Sequence, residues 1–176
     1  MQEKRLNTKD LKEKAEDLRA SERILLSGTV YTARDSAHKR IKEFTDKGKR
    51  LPFEINGSVI YYCGPTPAFE GLTIGSCGPT TSNRMDPFTP DLLDMGLCAM
   101  IGKGDRGREV YRAIVRNKAV YLCAIGGAGA LAAKCIVGCE VIAFDDLGCE
   151  SIKKLEFKDF PLFVAIDSKG NSLFNT

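Results

Sequence analysis

Between residues 23 and 148, short apolar runs alternate with helix-patterned segments. RILLSGTVYTA (23–33) leads into ARDSAHKRIKEFTDKGK (33–49), where Ala37, Ile41 and Phe44 recur at i, i+4 and i+7. LCAMIGKG (97–104) leads into DRGREVYRAIVRNK (105–118), with Val110, Ile114 and Val115 on one side. AVYLCAI (119–125) leads into the small-residue segment GGAGALAAKC (126–135). Alternation of strand and helix predicts parallel strands joined by crossovers.

The flanks follow a different pattern. Leu11, Ala15 and Leu18 predict a helix near residues 8–20, set in a charged stretch. Pro52 breaks the chain, and Asn56-Gly57 predicts a hairpin turn. SVIYYCGP (58–65) and LTIGSCGPTT (72–81) read as strands, and PDLLDMG (90–96) as a short helix. CEVIAFDDLG (139–148) reads as a strand. KKLEFKDF (153–160), PLFVAID (161–167) and SLF (172–174) read as further strands, the last after a DSKGN turn. A layered α/β domain with a mixed or second sheet accommodates both patterns. No long linker and no internal repeat divides the 176 residues.

Composition narrows the classes. Hydrophobic residues make up 43% and charged residues 28%, the balance of a soluble globular domain. No apolar run reaches the roughly 18 residues a membrane helix needs. The charged N-terminus does not resemble a signal peptide, so the cytoplasm is the expected compartment. The formal net charge is only +3, and no aromatic residues alternate with the basic ones, so a nucleic-acid partner is not expected. The seven cysteines are Cys63, Cys77, Cys98, Cys123, Cys135, Cys139 and Cys149. An odd count without a secretory signal argues against a disulfide framework. The absence of any Cys-x2-Cys spacing argues against a metal site, and most sit in apolar runs as core thiols do.

Ligands of parallel α/β sheets bind beyond the carboxyl ends of the strands. Loops at such ends here are TARD (32–35), CGPTP (63–67), CGPTTSNR (77–84) and GKGDR (102–106). They offer Arg34, Thr80, Arg84 and Lys103, with Asp35, Asp86 and Asp105 nearby in sequence. Guanidinium groups fork onto carboxylates, and helix starts add N–H donors. The set suits a small dicarboxylate or a phosphate, and GKGDR lacks the order of a P-loop. Simpler roles exist for each residue. Thr80 or Thr81 also suits an N-cap. Arg84 also suits a surface pair with Asp86 or Asp105. Gly102-Lys103-Gly104 also suits a plain strand-to-helix turn. His38 lies within a helix and reads as structural.

Six motifs stand in order: SGTVYTARDSAHKR, YYCGPTP, IGSCGPTTSNRMD, MIGKGDR, AIGGAGALAA and DFPLFVAIDSKGN. With them the chain resembles the β subunit of two-subunit class I (iron–sulfur) fumarate hydratases. It is similar to the C-terminal part of the single-chain enzymes and to the L(+)-tartrate dehydratase β subunit. The resemblance covers roughly residues 22–175. It implies a three-layer β/β/α swivelling domain over 22–176, a parallel central sheet packed on a second sheet, after an N-terminal helical segment at 1–21.

The resemblance also implies a hydro-lyase that adds water reversibly to fumarate, giving (S)-malate. It implies a [4Fe–4S] cluster held by a partner α subunit, with none bound by this chain, and an (αβ)2 assembly. On the matching motifs, Thr80 takes the place of the catalytic base. Arg34, Arg84 and Lys103 take those of substrate-binding cations, and Asp35 and His38 are supporting residues. L(+)-tartrate as substrate, and a non-catalytic binding module of the same fold, are the alternatives.

Overall fold

The computed structural model describes residues 3–124 and 128–174. Strand β1 (Lys4–Asn7) leads into helix α1 (Thr8–Lys14), which tightens into a 3-10 turn at Ala15–Asp17. Then come β2 (Arg23–Thr32), α2 (Asp35–Asp46) and β3 (Val59–Tyr61). A 3-10 turn (Ser82–Met85) precedes α3 (Thr89–Asp94), β4 (Ala99–Gly102) and α4 (Arg108–Asn117). The last elements are β5 (Val120–Ala124), α5 (Ala128–Cys135), β6 (Ile136–Ala143), a 3-10 segment (Asp145–Glu150) and β7 (Ile152–Ile166).

Strands β2 to β5 run parallel in the order of the chain, with β1 parallel beside β2. Strand β7 is antiparallel to β2 along one edge and to β6 and then β5 along the other. Pairing of β7 with both β2 and β5 closes β2–β3–β4–β5–β7 into a ring. The fold is therefore mixed α/β with one seven-stranded hydrogen-bonded sheet. The antiparallel strands expected to form a second sheet belong to this same sheet.

Successive residues of a strand face opposite ways, so each strand serves two cores. One core takes Ile24, Leu26, Tyr61, Ile101 and Leu122, with Leu11, Ala15 and Leu18 of the N-terminal segment packed into it. Phe157 and Phe160 stack there with centroids 4.7 Å apart. The other core takes Ile60, Tyr62, Met100 and Tyr121 under Ala37 and Ile41 of α2, Leu92 and Leu93 of α3, and Val110 and Ile114 of α4. Full burial of each large aliphatic side chain contributes about 1.5–3 kcal/mol. Among the described residues no helix is long and apolar enough to cross a membrane.

Four local expectations need correction. The first helix is shorter than 8–20, because Leu18 turns to extended backbone. Asn56-Gly57 does turn, with Gly57 at φ +77°, but it leads into the parallel strand β3 and closes no hairpin. No strand forms over 72–81. Its amides bond to separate segments instead: Cys77 N–H to the Gly129 carbonyl at the start of α5 at 3.2 Å, and Thr80 N–H to the Tyr62 carbonyl after β3 at 2.7 Å. Val115 is exposed, since the buried face of α4 is made by Val110, Ala113 and Ile114.

The pair of strands expected at 153–160 and 161–167 is one strand of 15 residues running through Pro161. Pro161 has no N–H, and it falls where pairing with β6 has ended at Phe157 and pairing with β5 begins at Leu162. A proline is tolerated at that gap in the ladder. Segment 126–127 of the expected small-residue helix lies outside the described residues.

Candidate anion-binding site

All four candidate residues lie at the carboxyl end of the parallel strands. Arg34 follows β2, Thr80 and Arg84 sit in the long connection after β3, and Lys103 follows β4. Because β2, β3 and β4 are parallel, these loops share one end of the sheet. Among the described residues no hydrogen bond or ion pair joins any two of the four. Asp35 and Ser82 connect them.

Arg34 occupies the N-cap position of α2. Its Nε is buried without a hydrogen-bond partner, with carboxylate oxygens of Asp35 and Glu150 each 3.8 Å away. Gly64 of CGPTP makes room for it: a Cβ there would lie 3.0 Å from Arg34 Cδ and 3.1 Å from Nη1. The cap itself comes from afar. Glu150 accepts from Ser36 N–H at 3.2 Å and from Ser36 Oγ at 2.9 Å, so a carboxylate satisfies the helix start. Arg40 and Asp146 reinforce the same docking with two bonds of 2.7 and 2.8 Å.

Arg84 does not pair with Asp86 or Asp105. Its Nε and Nη2 donate to the two oxygens of Asp35 at 3.0 and 2.9 Å. The side chain is 50% exposed and that of Asp35 24%, so the pair is worth only a modest amount in stability. Its geometric effect is larger. A bidentate grip on the Nε–Nη2 edge fixes the plane of the guanidinium and leaves the Nη1–Nη2 edge for a second carboxylate.

Lys103 is exposed, and its backbone is tied to Ser82 in both directions. Lys103 N–H donates to Ser82 Oγ at 3.0 Å, and Ser82 N–H donates to the Lys103 carbonyl at 3.1 Å. The hydroxyls of Ser82 and Tyr121 pair at 2.8 Å, and Tyr121 Oη lies 2.8 Å from the Gly104 carbonyl. Residue 102 must be glycine, because a Cβ there would collide with Ser82 Oγ. The glycines of GKG thus serve the site loop as well as the turn. Thr81 holds the N-cap position of the 3-10 turn, yet makes no side-chain cap. Thr80 is half-buried behind it, so neither threonine acts as the cap their positions suggested.

His38 is buried, and its Nδ1 lies 2.8 Å from the Arg34 carbonyl. Nε2 has no partner among the described residues. Burial pushes its pKa down to about 4, the Arg34 carbonyl opposes that, and the nearby Arg106 charge adds to it. A neutral ring fits the structural role read from the sequence. Among the described residues no three His, Cys, Asp or Glu side chains gather to hold a metal ion. Cys63 and Cys77 meet at 3.2 Å as buried thiols.

With this geometry in view, the fumarase C-terminus family model matches residues 1–176. The chain belongs to the fumarase C-terminus family. It is 43% identical over 157 residues to the anaerobic class I fumarate hydratase of Escherichia coli, which covers 88% of this chain and 28% of that protein. It is 42% identical over 155 residues to the mitochondrial fumarate hydratase 1 of Leishmania major, covering 86% and 28%. It is 36% identical over 176 residues to a Methanocaldococcus jannaschii protein provisionally named L(+)-tartrate dehydratase subunit beta, covering 97% and 88%. The chain therefore spans little more than a quarter of the fumarate hydratases it matches and nearly all of the subunit-sized relative.

In this fumarase C-terminus chain, several residues beside the site carry no signal that local sequence reading isolates. Arg106 is the last residue of GKGDR and looks like an exposed helix-start charge; it is buried and paired with Asp86 at 2.7 Å. Glu150 caps α2 from 114 residues away. Ser82 reads as a turn residue and is the buried hub of two loops.

Two outcomes follow. Gly102→Ala should lower stability by roughly 1–3 kcal/mol, since Ser82 must leave its place; an unchanged thermal or urea midpoint would contradict the packing. His38 should remain neutral down to about pH 4 in the folded chain, against an ordinary value of 6.5. The unfolded chain then binds the extra proton between pH 6.5 and 4, so stability rises with pH in that window. On acidification, on the order of 3 kcal/mol should be lost. The chain has one histidine, so a histidine NMR titration reads it cleanly; a midpoint near 6.5 would contradict the burial.

Proposed function

We propose that this chain is the β subunit of an iron–sulfur hydro-lyase and supplies the carboxylate-binding part of its site. The reaction is the reversible hydration of fumarate to (S)-malate. The observation that carries this is Arg84: Asp35 holds one edge of its guanidinium and leaves the other open at the strand ends that also bear Lys103 and Thr80.

In the dehydration direction, the C–H bond at one malate carbon breaks and its electron pair forms the double bond. Hydroxide leaves the neighbouring carbon. Arg84 and Lys103 hold the carboxylate beside the C–H bond and stabilise the charge that gathers on it. Arg34 binds the other end of the substrate. Thr80, its hydroxyl proton given up to solvent beforehand, takes the proton as an alkoxide and returns to a neutral hydroxyl; positive charge from Arg84 and Lys103 would favour that alkoxide. Lewis-acid assistance to the departing hydroxide is the chemistry a [4Fe–4S] cluster supplies, and we assign that cluster to the α subunit.

The need for an α subunit is supported by the name of the subunit-sized relative, a subunit beta of which this chain covers 88%. It is further supported by an apolar groove of about 470 Å³ between α5 and the loop bearing exposed Phe69 and Leu72. Surfaces of that kind mark interfaces. The reading includes a cytoplasmic (αβ)2 assembly. It also includes a β/β/α swivelling arrangement in which the closed sheet supplies both β layers, with β1 and α1 of residues 1–21 built into the same domain. L(+)-tartrate is the second substrate reading, favoured by the match across 97% of the chain to the subunit-sized relative.

The test is anaerobic. The chain is co-expressed with an α chain of this type from the same source, and malate and tartrate dehydration are followed side by side. Fumarate formation that needs both chains is expected, and the purified chain alone should carry no iron. Arg84→Ala should lower turnover by about 100-fold or more with an unchanged melting curve. Full activity in that variant would remove Arg84 from the site. Activity on tartrate alone would move the substrate assignment. A complex active on neither substrate, or stoichiometric iron–sulfur absorbance in the isolated chain, would contradict the reading.

A further inference from the structure

Arg106 is an unusual group to find inside this domain. Its side chain is 0% exposed. Nε donates to Asp86 Oδ1 at 2.7 Å, and Nη2 donates to Thr89 Oγ1 at 2.8 Å. The guanidinium carbon lies 5.2 Å from the Tyr62 ring and 4.9 Å from the Tyr121 ring. Nη1 is buried with no partner among the described residues. A buried ion pair with an orphaned donor is weak evidence for stability, because apolar replacements of similar volume are often neutral or stabilising. The arrangement calls for another account.

The position of the pair supplies one. Asp86 accepts from Gly107 N–H at 2.6 Å as well as from Arg106. Asp86 ends the 3-10 turn that carries Arg84, and Arg106 lies three residues past Lys103. The two loops are therefore joined at both ends: Ser82 to Lys103 at one, Asp86 to Arg106 and Gly107 at the other. Arg84 sits between the ties on one loop, and on the other Lys103 forms one tie while Gly104 and Asp105 lie between it and the second. Tyr121, one of the rings beside Arg106, also links Ser82 and Gly104.

We infer that Arg106 is a positioning residue, which through Asp86 sets the spacing between Arg84 and Lys103 and so shapes the grip on the substrate carboxylate. This rests on the dicarboxylate reading given above. Arg106 does not touch substrate. It acts by holding one cation-bearing loop against the other, with its fork and its two aromatic neighbours fixing direction as well as distance.

The discriminating variant is the double replacement Arg106→Met with Asp86→Asn, which removes both charges of the pair together. It is compared with wild type as the assembled αβ complex and as the full chain alone. The melting temperature should be unchanged or higher. The value of kcat/KM should fall about 100-fold, as expected for a site whose groups are displaced by about 1 Å, with KM raised at least tenfold. The Arg84 Nε–H resonance of the chain should shift, and its hydrogen exchange should speed up. Arg106→Lys, which keeps a charge but not the fork, should recover less than a tenth of the lost kcat/KM.

Loss of stability with unchanged KM would make the pair structural only and overturn the inference. If the wild-type complex turns over neither substrate, the functional reading fails, and the Arg84 resonance then decides this inference alone. An unmoved resonance in the double variant would overturn it.

Discussion

Strand β7 pairs with β2 along one edge and with β6 and then β5 along the other. That double pairing joins the ends of a parallel series that would otherwise present two open edges. Closure gives each strand residue a defined side. Val59 and Tyr61 face one core, Ile60 and Tyr62 the other. It also holds β2, β3 and β4 in parallel register, and so brings the loops after them to one end. The stacked Phe157 and Phe160 pack inside, and Pro161 sits in the stretch of β7 between its β6 and β5 pairings, where a missing N–H is tolerated. A domain with this ring needs few other devices to gather residues as distant as Arg34 and Lys103.

Charge at that end is organised by carboxylates rather than by the cations. Asp35 orients Arg84, Glu150 caps α2 beside Arg34, and Asp86 holds Arg106. Each acid fixes a basic group or a helix start, and in the case of Arg84 leaves another edge available. A cluster of cations without such partners would repel itself and wander among rotamers. With them, Arg84 keeps an orientation in a surface-exposed position where a lone arginine would lose it to side-chain entropy.

Much of the centre was legible from periodicity. Ala37 and Ile41, and Val110 and Ile114, are buried as their spacing required, and the glycine-rich and charged loops stand at strand ends. The misses share a cause. Residues 72–81 have strand-like composition, but their amides are claimed by Gly129 of α5 and by Tyr62, which only the assembled fold brings near. Pro161 reads as a break until its place between two pairing partners is known. Arg84 has an acidic neighbour two residues away, Asp86, yet its partner is Asp35, 49 residues distant. Arg106 is buried because Tyr62, Thr89 and Tyr121 converge on it, and no local pattern announces that convergence. The order of the six motifs pointed to the fumarase C-terminus family, which the match over residues 1–176 shows.

In the proposed site, the open edge of Arg84 and the Lys103 side chain receive the same substrate end. The direct measurement is an anaerobic crystal structure of the assembled αβ complex with a bound dicarboxylate. The expected result is a carboxylate bridging Arg84 Nη1 and Lys103 Nζ, with the Asp35 bonds to Arg84 still in place. A dicarboxylate bound elsewhere, or one that displaces Asp35 from Arg84, would contradict it.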